Sequence, residues 1–213
     1  MSTTMYKFTD ANNRTYGGFQ WARGEWKETP GRGELCGPGW LHCFSSPELA
    51  ELLIHSMCFH APTRLWEVEC KGERMNEGAL ESGFSKICLV REISRPLLSQ
   101  AQRVRFAILC AMEVCKDQGW RKWASAWLAE LDRSVLAARA SVSMLRTLKS
   151  GVHTLALAPD LASAEESAMS AAAVNAAAVK IWSSSAARKA QKAAVNPIDF
   201  PALATRAIKE EVA

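Results

Sequence analysis

Residues 64 to 72 read "RLWEVECKG", in which Trp66, Val68 and Cys70 alternate with Leu65, Glu67 and Glu69. Side chains of a strand point to opposite faces at every step, so this pattern predicts a strand with one face buried, ended by Gly72. "FSKICLVREI" at 84 to 93 repeats the signal, with Ile87, Leu89 and Arg91 on one side and Cys88, Val90 and Glu92 on the other. Between residue 10 and these strands lie turn signals: "DANNRTYGG" at 10 to 18 and "ETPGRGELCGPG" at 28 to 39. Together with "MYKF" at 5 to 8, the segment "FQWARGEWKE" at 19 to 28 predicts a hairpin. The second Gly- and Pro-rich stretch predicts a loop with a short strand at Glu34 to Cys36.

Helix signals are equally local. "SSPELAELLIHSMCF" at 45 to 59 starts with Ser46 as N-cap and Pro47 at the first helical position, where a missing N–H costs nothing. Leu49, Leu52, Leu53 and Met57 then recur at core-facing spacing. "SQAQRVRFAILCAMEVCK" at 99 to 116 has helical period through Val104, Ile108, Ala111 and Cys115. After residue 117 the turn-rich texture ends. Trp120, Trp123, Trp127, Leu128 and Leu131 form one apolar stripe. A second helix from Ser134 to Lys149 uses Val135, Leu136, Val142, Leu145 and Leu148. An alanine-dominated helix opens with the capping box Ser163/Glu166 and runs to Asn196-Pro197, and a last helix starts near Pro201. The expected class is α+β: a small mixed sheet with helices in a domain over 1–116, then an all-helical, Ala-rich domain over 117–213. Alanine buries little surface, so the Ala-rich helix is held by close approach to a neighbouring helix or serves as an arm for homo-oligomerisation.

Composition narrows the function classes. The chain has 213 residues, 48% of them apolar, and a net charge of +4 with both signs interspersed, so no basic run indicates nucleic acid. No apolar stretch reaches membrane-spanning length, and the N-terminus lacks signal-peptide order, which predicts a cytoplasmic protein. Seven scattered cysteines predict free thiols in a reducing compartment. Cys36, His42, Cys43, Cys58 and His60 lack the paired spacing of a zinc site, so no metal is expected. Ser45 and Ser46 precede a helix without the glycines of a nucleophile elbow, and capping explains them. Most of the eight tryptophans fit core positions, whereas Trp21, Trp26 and Trp40 flank loops and are the expected exposed contact residues. Arg95, Arg103 and Arg105 cluster before and within one helix and would meet an acidic partner surface.

The order Tyr6-Lys7, Phe19 to Trp21, Leu35-Cys36 through Gly39 to His42, Ser46-Pro47, Glu67 to Gly72 and Val90 to Ile93 resembles a domain recurring in bacteriophage and prophage genomes, over residues 5 to 116. That resemblance implies a phage or mobile-element protein, and together with the missing catalytic set and the aromatic residues in loops it leads to the expectation of one that binds and occludes a host protein, such as a defence component, in the manner of an anti-CRISPR inhibitor. "WASAWLAELDRSVLAARA" is similar to helical segments of immunity proteins in toxin systems, which implies an immunity or antitoxin role. A further likeness, to ADP-ribosyltransferase-like folds, rests on the "FSSPELA" step and the "EVECKG" strand with a late Glu. It implies an NAD site at Lys7, His42, Ser45 and Glu92, with Glu92 orienting the nicotinamide ribose.

Overall fold

Two strands of unusual length dominate the N-terminal half of the structure, a computed structural model that describes residues 3–35, 37–54, 63–138, 140–141 and 183–209. The chain divides into two units, 1–97 and 98–213. In the first, β1 (Thr3–Asp10), β2 (Trp26–Glu28), β3 (Leu41–Cys43), β4 (Thr63–Glu77) and β5 (Glu81–Ile93) form one sheet in the order β1-β4-β5-β2, with β3 also on β5. Among the described residues every ladder is antiparallel, and the parallel component of the expected mixed sheet reduces to a single bridge between Arg23 and Leu89. The α+β class stands. The hairpin expected between 5–8 and 19–28 does not form, because β1 pairs with β4 and Trp26–Glu28 crosses to β5. No strand forms at Glu34 or Leu35; the strand lies at Leu41–Cys43 instead.

Two bulges decide where the side chains of the long hairpin point. Glu67 pairs with Arg91 and Val68 with Leu89, so Val90 is an extra residue on β5. This shifts the alternation by one: Arg91 leaves the side of Ile87 and Leu89 and joins Glu67, 2.6 Å away. The freed Val90 carbonyl accepts a bond from Arg23 Nε at 2.8 Å. At the second bulge Gly72 and Glu73 lie opposite Ser85 alone, so Gly72 does not end β4, which continues to Glu77. Gly72 has φ +79°, and a Cβ there would lie 2.2 Å from Ser85 Oγ, which accepts the Glu73 N–H at 2.9 Å. Gly72→Ala is therefore expected to lower stability by about 2–3 kcal/mol in urea denaturation.

The sheet closes on itself. Tyr6 and Phe44 exchange both backbone hydrogen bonds, at 2.9 and 2.8 Å, which brings the end of β3 back to β1. The circuit β1-β4-β5-β3-β1 encloses Met5, Trp21, Leu41, Cys43, Trp66, Val68, Cys70, Phe84, Ile87 and Leu89. The Tyr6–Phe44 bridge covers the open edge of β1 at Tyr6. Outside the circuit, α1 (Pro47–Leu53) covers Phe8 and Leu65 through Ala50. Ser46 Oγ caps α1 by accepting the Leu49 N–H at 3.1 Å, and the helix ends at Leu53 instead of running to 59. Cys36, His55, Met57, Cys58 and His60 lie outside the described residues.

In the second unit α2 (Gln100–Met112) has the reciprocal capping box of Ser99 and Gln102 and buries 104–111 without interruption. It packs against α3 (Gln118–Leu128), α4 (Ser183–Ala193) and α5 (Phe200–Lys209). That all-round burial among helices places α2 in the second unit, so the boundary falls at Leu97/Leu98 and not at 116. Ala186, Ala187 and Ala190 are fully buried, the close helix contact that small side chains permit. The Ala-rich residues 163–182, and with them the expected oligomerisation arm, lie outside the described residues. Leu131, Val135 and Leu136, expected on apolar faces, are exposed, because α3 stops at Leu128 and the next helical residues begin at 135. No described helix is long and apolar enough to cross a membrane.

Candidate functional site

Lys7 lies one residue beyond the Tyr6–Phe44 pair and points into the closed sheet, opposite Trp66 in the ladder. Its ammonium is almost completely buried, donates to the His42 carbonyl at 2.7 Å, and stands 4.7 Å from the centre of the Trp21 ring. Burial pulls its pKa from 10.5 down to about 8, with the neighbouring Cys43, Cys70 and Glu81 acting in the opposite direction. The His42 ring turns the other way, with Nδ1 3.0 Å from Oε1 of the buried Glu81. Beside Lys7, the Cys43 and Cys70 sulfurs are 3.7 Å apart, and Cys43 Sγ also faces the Ser82 carbonyl at 3.5 Å. Burial, reinforced by the contact with Cys70, pushes the Cys43 thiol well above its ordinary pKa.

Of the four residues implied as an NAD site, Lys7 and His42 are thus brought together, through the backbone of His42. Ser45 is exposed in the turn before α1, where Ser46 provides the cap. Glu92 is ion-paired with Arg64, which holds its carboxyl below the usual range, and Trp66 stands between Glu92 and Lys7 in the ladder. Among the described residues no hydrogen bond or ion pair joins Ser45 or Glu92 to the Lys7 cluster. No three described His, Cys, Asp or Glu side chains are grouped to hold a metal ion.

The expected contact residues are redistributed by the core. Trp21 and Trp40 are buried, contrary to their reading as exposed: with the helix α1 on the outside of the closed sheet, indoles from the loops must fill the inside and cover Gly83. Trp26 is half-buried, with the Lys71 ammonium 4.3 Å from its ring centre. Arg95 holds Glu51 with two bonds of 2.9 and 3.0 Å, also donates to Thr63 Oγ1, and lies over the Phe8 ring. Arg105 is buried in the other unit, 3.4 Å from the Leu128 carbonyl, and Arg103 is half-buried there. The three arginines do not form one exposed patch, since Arg95 ties down its own unit and Arg105 is interior.

What the buried Trp21 does instead is hold a loop. Its backbone N–H donates to the Asn13 carbonyl at 2.8 Å and its indole N–H to Thr15 Oγ1 at 3.0 Å. Asp10 Oδ1 accepts the amides of Asn12 and Arg14, at 2.9 and 2.7 Å, and Gln20 bonds back to the Asn12 carbonyl at 2.9 Å. Asn13 adopts φ +58°, and its side-chain oxygen accepts a bond from Arg64 at 2.8 Å. At the tip of this braced loop Tyr16 is 89% exposed, with Phe19 38% exposed beside it. A large aromatic held in water on a pre-ordered backbone loses little freedom on binding. Sequence reasoning missed Tyr16 although "TYGG" placed it at a turn; it missed Glu81 because nothing local marks its partner.

The region that carries both features has a counterpart. Residues 3–101 match DUF7666, a domain of unknown function. The DUF7666 match therefore covers the whole closed sheet, the Tyr16 loop and the Lys7 cluster, and stops at the first turn of α2, near the boundary between units. No curated protein and no solved structure matches the chain.

Proposed function

We propose that this protein acts by binding another protein, as a phage- or mobile-element-encoded inhibitor that occludes a host component, with the 10–21 loop as its contact. The observation that carries the binding role is the exposure of Tyr16 at the tip of a loop braced at every turn by Asp10, Asn13, Gln20 and Trp21. Interface hot spots are enriched in tyrosine and gain from such pre-ordering. The mobile-element setting and the choice of a defence component as target rest on the sequence resemblance alone. The burial of Lys7 against the Trp21 ring supports binding over chemistry, since little of the amine is open to a substrate.

Affinity capture from host lysate with the full chain tests this reading. The wild type is expected to retain a specific host protein, and Tyr16→Ala to weaken that interaction by at least ~10-fold with its melting temperature unchanged. Recovery of no specific partner, or equal recovery by Tyr16→Ala, would refute it.

A further inference from the structure

We propose that Cys43 and Cys70 are a peroxide-sensitive pair, which hydrogen peroxide converts to a disulfide tying β3 to β4 through the inside of the closed sheet. The two thiols are 27 residues apart in sequence and their strands are not ladder neighbours, yet their sulfurs are in contact at 3.7 Å. Bond formation requires an approach of roughly 1.7 Å, to the disulfide length of about 2.05 Å. Both residues are fully buried, at 0% and 1% exposure, which selects the oxidant: a molecule as small as hydrogen peroxide can enter during local opening, whereas a peptide disulfide cannot.

The chemistry balances with groups already in place. One thiol loses its proton and its sulfur attacks peroxide; the O–O bond breaks, a sulfenic acid forms, and the leaving hydroxide takes a proton to become water. The second sulfur then attacks the sulfenic sulfur, the S–O bond breaks, and a second water leaves. Two thiols are oxidised, one peroxide is reduced, and two waters are released. The bridge closes the chain between 43 and 70 and restricts the unfolded state. Trp21 belongs to the same cluster, so the link forms in the interior on which the Tyr16 loop is anchored.

The test treats the folded full-length chain with hydrogen peroxide, alkylates it after unfolding without reduction, and maps the cysteines by mass spectrometry. The expected result is a peptide joining Cys43 to Cys70, lighter by two hydrogens than the separate thiol peptides. The midpoint of thermal unfolding should also rise by roughly 5–15 °C, an increase that dithiothreitol abolishes. Mapping is done on the wild type, so it does not depend on any variant folding; Cys70→Ser, if it melts cooperatively, should show neither change. Full alkylation of both thiols, sulfinic acid at either without the link, or bridges only to other cysteines would each overturn the proposal.

Discussion

Trp21→Ala is expected to destabilise the N-terminal unit by about 3–5 kcal/mol, the range for removing a fully buried indole. Trp21 is 2% exposed and fills the interior between Met5, Trp66 and the Lys7 ammonium. It also packs on Phe19, with ring centres 5.2 Å apart, and holds Thr15. The substitution thus removes core volume and the anchor of the Tyr16 loop together. Chemical denaturation measures the first loss, and hydrogen exchange the second: the amides of Asn13 and Thr15 should lose protection. Trp21→Phe separates the two, since it keeps most of the apolar contact and deletes the bond to Thr15. It should cost only about 1–2 kcal/mol while still loosening the loop. Unchanged exchange in both variants would show that Trp21 is not what orders it.

The second large effect is a dependence on pH. The Lys7 ammonium titrates near pH 8 in the folded chain and near 10.5 when unfolded. Between those values the unfolded chain binds more protons, so the free energy of unfolding rises with pH. A difference of roughly 2.5 pH units, at about 1.4 kcal/mol each, amounts to about 3 kcal/mol. Below pH 8 the folded state carries the full cost of a buried charge, and above 10.5 that cost is gone. Cys43 and Cys110, whose thiols burial holds protonated, act oppositely, since the unfolded chain ionises them first and stability falls as they do so. The informative quantity is therefore the difference between wild type and Lys7→Met. At pH 7 the variant should be at least as stable as wild type, because the lost bond to the His42 carbonyl is offset by relief of the buried charge. That relative advantage should fall by about 3 kcal/mol by pH 10.5. Parallel urea-denaturation curves across the range would show that the amine keeps an ordinary pKa.

The candidate site was legible in part. Lys7 and His42, named only through the likeness to ADP-ribosyltransferase-like folds, do meet, but through a backbone carbonyl that no side-chain motif announces. The contact residues were harder, because an aromatic near a turn reads the same whether its loop turns outward or folds over a sheet. Trp21 and Trp40 turned inward, and the exposed aromatic is Tyr16. Arg95, Arg103 and Arg105 are close in the chain, yet Arg95 belongs to one unit and the other two to the next.

What the amino-acid order determined by itself was everything of short range: the alternation of Trp66, Val68 and Cys70, the Ser46 cap and Pro47, the helical period of 104–111, and hence an α+β chain with its helices late. These depend on neighbours one to four positions apart. Only the tertiary structure decided the facing of Arg91, the continuation of β4 past Gly72, and the closure that puts an ammonium and two thiols in one interior. Each of those depends on pairings between distant segments, Tyr6 with Phe44 and β4 with β5, and one bulged residue is enough to reverse which side chains face inward.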